Sequence, residues 1–78
     1  MREKTLKLVV TFQSTSAAIA MEKYCKETQT PGRLIPVPRA ITSNCGMAWV
    51  AGLSDREALE KVADEFEIPV ENWYELMV

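Results

Sequence analysis

Thr5-Leu6-Lys7-Leu8-Val9-Val10-Thr11-Phe12 decides how the chain is built. Leu6, Leu8, Val10 and Phe12 fall on one side of an extended backbone, and Lys7, Val9 and Thr11 on the other. A period of two among β-forming residues predicts a strand with one buried face. Ser14-Thr15-Ser16 follows at once and offers side-chain oxygens to the unpaired N–H groups that open a helix. From there to about Thr28, Ala17, Met21, Tyr24 and Cys25 recur at helical spacing, with Glu22 and Lys26 as an i,i+4 pair on the wet side.

Pro31-Gly32 breaks that helix and turns the chain. Arg33 to Val37 is a short apolar segment holding Pro36, with Pro38 just beyond. A proline removes a ladder donor, so this second strand belongs at a sheet edge. Gly46 to Ala51 reads as a third strand, with Ala48 and Val50 on one face and Met47 and Trp49 on the other. Two helices cover only one side of a sheet, so Met47 and Trp49 are expected on its open side, where an exposed pair would mark an interface. Ser54-Asp55-Arg56-Glu57 has the pattern of a capping box. It starts a helix with Leu59, Val62, Ala63 and Phe66 inward, which Ile68-Pro69 stops. The last strand is Trp73 to Val78, with Tyr74, Leu76 and Val78 facing in.

The predicted order is β-α-β-β-α-β. Amphipathic helices and strands with one apolar face pack most economically as two helices on one face of a four-stranded antiparallel sheet. This is the α+β, ferredoxin-like sandwich, whose strand order 4-1-3-2 puts the proline-bearing strand at an edge. The 78 residues are read as a single domain, 1–78, with a thin core. No apolar run nears the ~20 residues that span a bilayer. Met1-Arg2-Glu3-Lys4 leads straight into the first strand, which predicts no leader peptide and no membrane partner. The expected location is cytoplasmic, where thiols stay reduced.

Two cysteines and no histidine restrict the chemistry. Cys25 and Cys45 form no CxxC pair, and the ligands of a zinc site are not at hand, so no metal or other cofactor is expected. Without histidine there is no Cys-His nucleophile, which argues against a self-contained hydrolase. Residues 1–53 hold seven basic and three acidic groups, and residues 54–78 two basic and eight acidic. No basic cluster of the nucleic-acid-binding type appears.

Pro36-Val37-Pro38-Arg39-Ala40-Ile41-Thr42-Ser43-Asn44-Cys45-Gly46 joins the second and third strands. The prolines stiffen the arm leading in. Chain direction in the predicted fold brings this loop to the end of the molecule where Ser14 and Thr15 open the first helix. A helix N-terminus and a nearby arginine, here Arg39, are settings that favour a reactive thiolate. Gly46 has no Cβ, so another molecule can come close to the neighbouring sulfur. Ser14, Thr15, Ser43 and Asn44 also serve as ordinary capping and turn residues. Cys25 lies on the apolar face of the first helix, far from the loop, so a Cys25–Cys45 disulfide is not expected.

At this loop the chain resembles the selenium/sulfur (Se/S) carrier protein-like family of small bacterial proteins. The residues that carry the resemblance are Pro36, Val37, Pro38, Arg39, Ile41, Ser43, Cys45 and Gly46, with Thr42 keeping a hydroxyl where serine is expected. Thr11-Phe12-Gln13-Ser14-Thr15 looks like the family's strand-to-helix junction. The resemblance implies a carrier rather than a stand-alone enzyme. Its Cys45 thiolate would hold a persulfide or selenosulfide, with Arg39, Gly46, Ser14, Thr15 and Ser43 in support and sulfur or selenium donor and acceptor proteins as partners. Two other readings stay open at this point. One is a non-catalytic ferredoxin-like interaction module that forms a homodimer, and the other a thiol redox switch.

Overall fold

The structure, a computed structural model, describes residues 5–41 and 43–78. The leader reading at Met1–Lys4 and the hydroxyl reading at Thr42 lie outside the described residues. In chain order the elements are β1 (Leu6–Phe12), α1 (Thr15–Glu27), β2 (Arg33–Pro36), β3 (Met47–Ala51), α2 (Arg56–Glu65) and β4 (Val70–Met77). The strands form one antiparallel sheet in the order β2-β3-β1-β4. Read from the other edge this is 4-1-3-2, the ferredoxin-like arrangement, with the proline-bearing β2 at the rim.

β1 sits near the centre because both of its faces are apolar. Leu8, Val10 and Phe12 pack with Ala17, Ala18, Met21 and Cys25 of α1 and Leu59 and Val62 of α2, all buried. Tyr24 and Phe66 stack at 3.9 Å between ring centroids and 5° between planes, joining α1 to the end of α2. On the opposite face Val9, Ala48 and Val50 make a second, smaller cluster, flanked by half-buried Ile35, Ile41, Tyr74, Leu76 and Val78. No helix among the described residues is long and apolar enough to cross a membrane.

Two strands present the reverse of their expected faces. Trp49, 3% exposed, lies in the main core with Ala51, and Met47 packs against that core, whereas Ala48 and Val50 face the open side. Trp49 Nε1 donates to the Pro31 carbonyl at 3.3 Å, so the indole meets its one polar need inside the fold. Tyr74, Leu76 and Val78 likewise belong to the open face, while Trp73 and Val70 turn toward the helices. The exposed Trp–Met interface patch therefore does not exist.

The helix ends also differ in detail. Ser14 caps α1 as expected, its Oγ accepting from Ala17 N at 3.1 Å. The Ser54–Glu57 capping box does not form. A 3-10 turn at Leu53–Asp55 precedes α2, and Asp55 Oδ2 takes the Gly52 N–H at 3.0 Å. Both helices stop before the expected prolines, in matching turns. Thr30 N donates to Cys25 O at 2.8 Å with Gln29 at φ 57°, and Ile68 N donates to Ala63 O at 2.9 Å with Glu67 at φ 52°. These six-to-one bonds satisfy carbonyls at the helix end and need a left-handed residue, here not glycine in either case.

Two stability changes follow. Glu67→Gly removes the left-handed Cβ cost and is expected to gain ~1 kcal/mol. Gly32 has φ +128°, and a Cβ on it would strike the Trp49 indole and the Val50 carbonyl. Gly32→Ala is expected to lose about 1–3 kcal/mol. Urea unfolding reads both, and in a Trp73→Phe background the folded Gly32→Ala protein should show red-shifted emission from Trp49.

Candidate functional site

The loop between β2 and β3 is closed at its base by Val37 N donating to Gly46 O at 3.0 Å. Ile41 N donates to Pro38 O at 3.2 Å, which folds Pro38–Ile41 into a turn with Arg39 and Ala40 at its exposed corners. Ile41 then tucks against the open-face cluster of Val9, Ala48 and Val50. The arm is thus held at three points: its proline, its turn and an apolar anchor.

Register places this loop. Pro36 stands opposite Met47, and Thr11 opposite Ala48, so the loop leaves the sheet at the end where β1 stops and α1 begins. Ser14 and Thr15 lie at that same end, as the chain direction predicts. Ser14 spends its oxygen on the helix, and Thr15 is the exposed first helical residue.

Cys45 is half-buried, its side chain packed against the rim of the main core. Its sulfur has three polar neighbours. The thiol donates to the Met47 carbonyl at 3.2 Å, Met47 N donates to Sγ at 3.4 Å, and Ser43 Oγ lies 3.5 Å from Sγ. Cys45 N donates to the same Ser43 oxygen at 3.4 Å. When the sulfur loses its proton the bond to the Met47 carbonyl goes, while the Met47 N–H and the Ser43 O–H remain as donors to it.

Gly46 has φ +73°, a left-handed conformation that a side chain would strain. Nothing lies within 4 Å of where its Cβ would be. Gly46 is exposed, next in the chain to the half-buried Cys45.

Of the six residues singled out in the sequence, the structure joins Ser43, Cys45 and Gly46 directly. Ser14 and Thr15 share their end of the fold, and Arg39 stands at the outer corner of the loop. No hydrogen bond ties Ser14, Thr15 or Arg39 to the sulfur among the described residues. The sequence reading missed the Met47 backbone, the sulfur's closest polar partner. The signal for it was the Cys-Gly pair: a left-handed residue after the cysteine curls the next N–H back toward its side chain, as in turns closed by serine.

Cys25 offers the contrast. It is 1% exposed among Leu8, Met21 and their neighbours, and burial pushes its thiol up from 9.0 to about 11. Both cysteines are free. No group of three or more His, Cys, Asp or Glu is placed to hold a metal among the described residues.

The family described as "Putative Se/S carrier protein-like" matches the chain over residues 7–75. No curated protein and no solved structure matches it.

Two measurements check the division between the thiols. A haloacetamide at about pH 8 should label Cys45 in the folded protein and reach Cys25 only after denaturant is added. The raised Cys25 thiol also has a sign. Between 9.0 and about 11 the unfolded chain gives up this proton and the folded chain keeps it, so its contribution to stability is full below that window and falls as pH rises through it. The stability gap between wild type and Cys25→Ala should narrow over the same window in urea titrations. A constant gap contradicts the assignment.

Proposed function

Since this chain belongs to the Se/S carrier protein-like family, we propose that it carries sulfur or selenium on Cys45 between partner proteins. One observation supports this above the rest. The molecule holds two thiols, and the fold seals one in the core while it leaves the other half-exposed on a braced loop, beside a glycine with open space over it.

In this reading the Cys45 thiolate attacks the outer sulfur of a persulfide on a donor protein. The S–S bond of the donor breaks, a new one forms to Cys45, and the donor leaves as a thiolate. The transferred atom keeps its oxidation state, so no oxidant or reductant is consumed. The carried sulfur leaves by the same exchange, when an acceptor nucleophile attacks it and Cys45 departs as thiolate. Zero-valent selenium carried between sulfur atoms obeys the same balance. The reaction needs no acid-base pair, which suits a chain without histidine.

Ser43 and the Met47 N–H stabilise Cys45 Sγ each time it becomes the anion, as attacking group and again as leaving group. Gly46 leaves the approach line clear. Arg39 offers a cation at the outer corner to the acidic rim of a partner, and Ser14 and Thr15 shape the neighbouring surface. The partners in this reading are sulfur or selenium donor and acceptor proteins.

Incubation with a cysteine desulfurase and free cysteine, followed by intact mass without reductant, tests the reading. Wild type and Cys25→Ala should gain the mass of one sulfur, and Cys45→Ser none. Arg39→Ala should reach the same final loading several-fold more slowly, because rim charges act mainly on encounter. Failure of the wild type to load, or equal loading of Cys45→Ser, overturns the proposal.

A further inference from the structure

The end of the sheet away from Cys45 holds a cleft that the carrier reading does not use. β3 runs from Met47, beside the thiol loop, to Ala51, and four strand steps cover ~13 Å. Around the far end lies a cavity of ≈ 580 Å³, lined by Lys7, Arg33, Ile35, Val50, Asp55 and Val78 among others. That volume falls in the range of small-molecule sites.

Strand register explains why the cations meet there. Arg33 stands opposite Val50, and Val50 opposite Val9, which puts Arg33 and Val9 on one face of the sheet. Lys7 lies two residues from Val9 on the same strand and so projects from that face too. Two strand spacings across and two residues along separate the Lys7 and Arg33 Cα atoms by ~12 Å. Side chains of that length can converge over Val50. Val50 lies between them and Ile35 beside Arg33 on the same face, which makes the floor apolar, and Val78 forms a wall fixed by paired backbone bonds to Thr5 at 3.0 and 3.1 Å.

Neither cation is ion-paired among the described residues. The ion pair found there is Arg56–Glu60 at 3.2 Å, on the outer face of α2. The charged side chains of the lining are Lys7, Arg33 and one carboxylate, Asp55, which accepts the Gly52 N–H. Two cations over an apolar floor, in a chain with a net charge of −2, make a local field that the rest of the molecule opposes.

We infer that this cleft binds a small amphipathic carboxylate, its headgroup between Lys7 and Arg33 and its hydrocarbon on Val50 and Ile35. The site shares no residue with the Cys45 loop and stands or falls apart from the carrier reading.

Calorimetric titration of the full chain with octanoate, 1-octanol and inorganic phosphate tests it. Octanoate should bind at one saturable site. Octanol, with the tail and no charge, and phosphate, with charge and no tail, should each bind at least about tenfold more weakly. Lys7→Gln and Arg33→Gln should each weaken octanoate by about tenfold, with folding checked by circular dichroism. Asp55→Asn keeps an acceptor for Gly52 and removes a like charge, so it should tighten octanoate a few-fold. Absence of saturable octanoate binding, octanol binding as tight as octanoate, phosphate binding as tight as octanoate, or full affinity in a folded Lys7→Gln/Arg33→Gln double variant would overturn the inference.

Discussion

Everything in this molecule is placed relative to β1, which is buried on both faces and paired on both sides. Leu8, Val10 and Phe12 anchor the two helices, and Val9 anchors the smaller cluster behind the sheet. Shifting the register of such a strand by one residue would exchange its faces, sending Lys7 and Thr11 toward the helices. Because β1 is held in one register, Thr11 meets Ala48 and β3 begins level with the end of β1. The thiol loop and the start of α1 then have to emerge together. Position, at the level of the site, is inherited from packing at the level of the strand.

The same fold gives the two cysteines very different surroundings. Cys25 behaves as a small apolar side chain, and the cost of desolvating its thiolate keeps it protonated up to about pH 11. Cys45 stands at the rim, where a backbone N–H and a serine hydroxyl reach its sulfur and the exposed Gly46 follows it. Nothing about the sulfur differs between them. The loop supplies the donors, and backbone bonds at Val37 and between Ile41 and Pro38, with the packing of Ile41, tie it to the sheet.

Much of this was legible before any coordinates, and the part that was not has a physical cause. Element order, the edge position of β2 and the demotion of Cys25 all follow from proline chemistry and helical spacing. The facing of β3 and β4 did not. Alternation assigns residues to two sides of a strand, but it names the inner side only when the other side is polar. Here Ala48, Val50, Tyr74 and Leu76 make the open face apolar as well, so Trp49 could be set on either. Its burial depends on Gly32, whose missing Cβ makes room for the indole across the sheet, and on the Pro31 carbonyl that receives its N–H. Such long-range complementarity has no local signature. The start of α2 was misplaced for a smaller reason, since Asp55 reaches back to Gly52 and tightens the first turn. At the site, the sequence named Ser43, Cys45 and Gly46, and the Met47 backbone waited for the geometry because any residue could have supplied that N–H.

The central claim is that the sulfur on Cys45 is held for another protein to take. The most direct measurement loads the chain with ³⁵S, removes the donor, and adds an acceptor thiol without any reductant. A carrier gives up the label to the acceptor by exchange and regains a free Cys45 in equal amount. Label that stays on the chain until a reductant is added would mark a dead-end adduct or a redox switch, and would contradict the account.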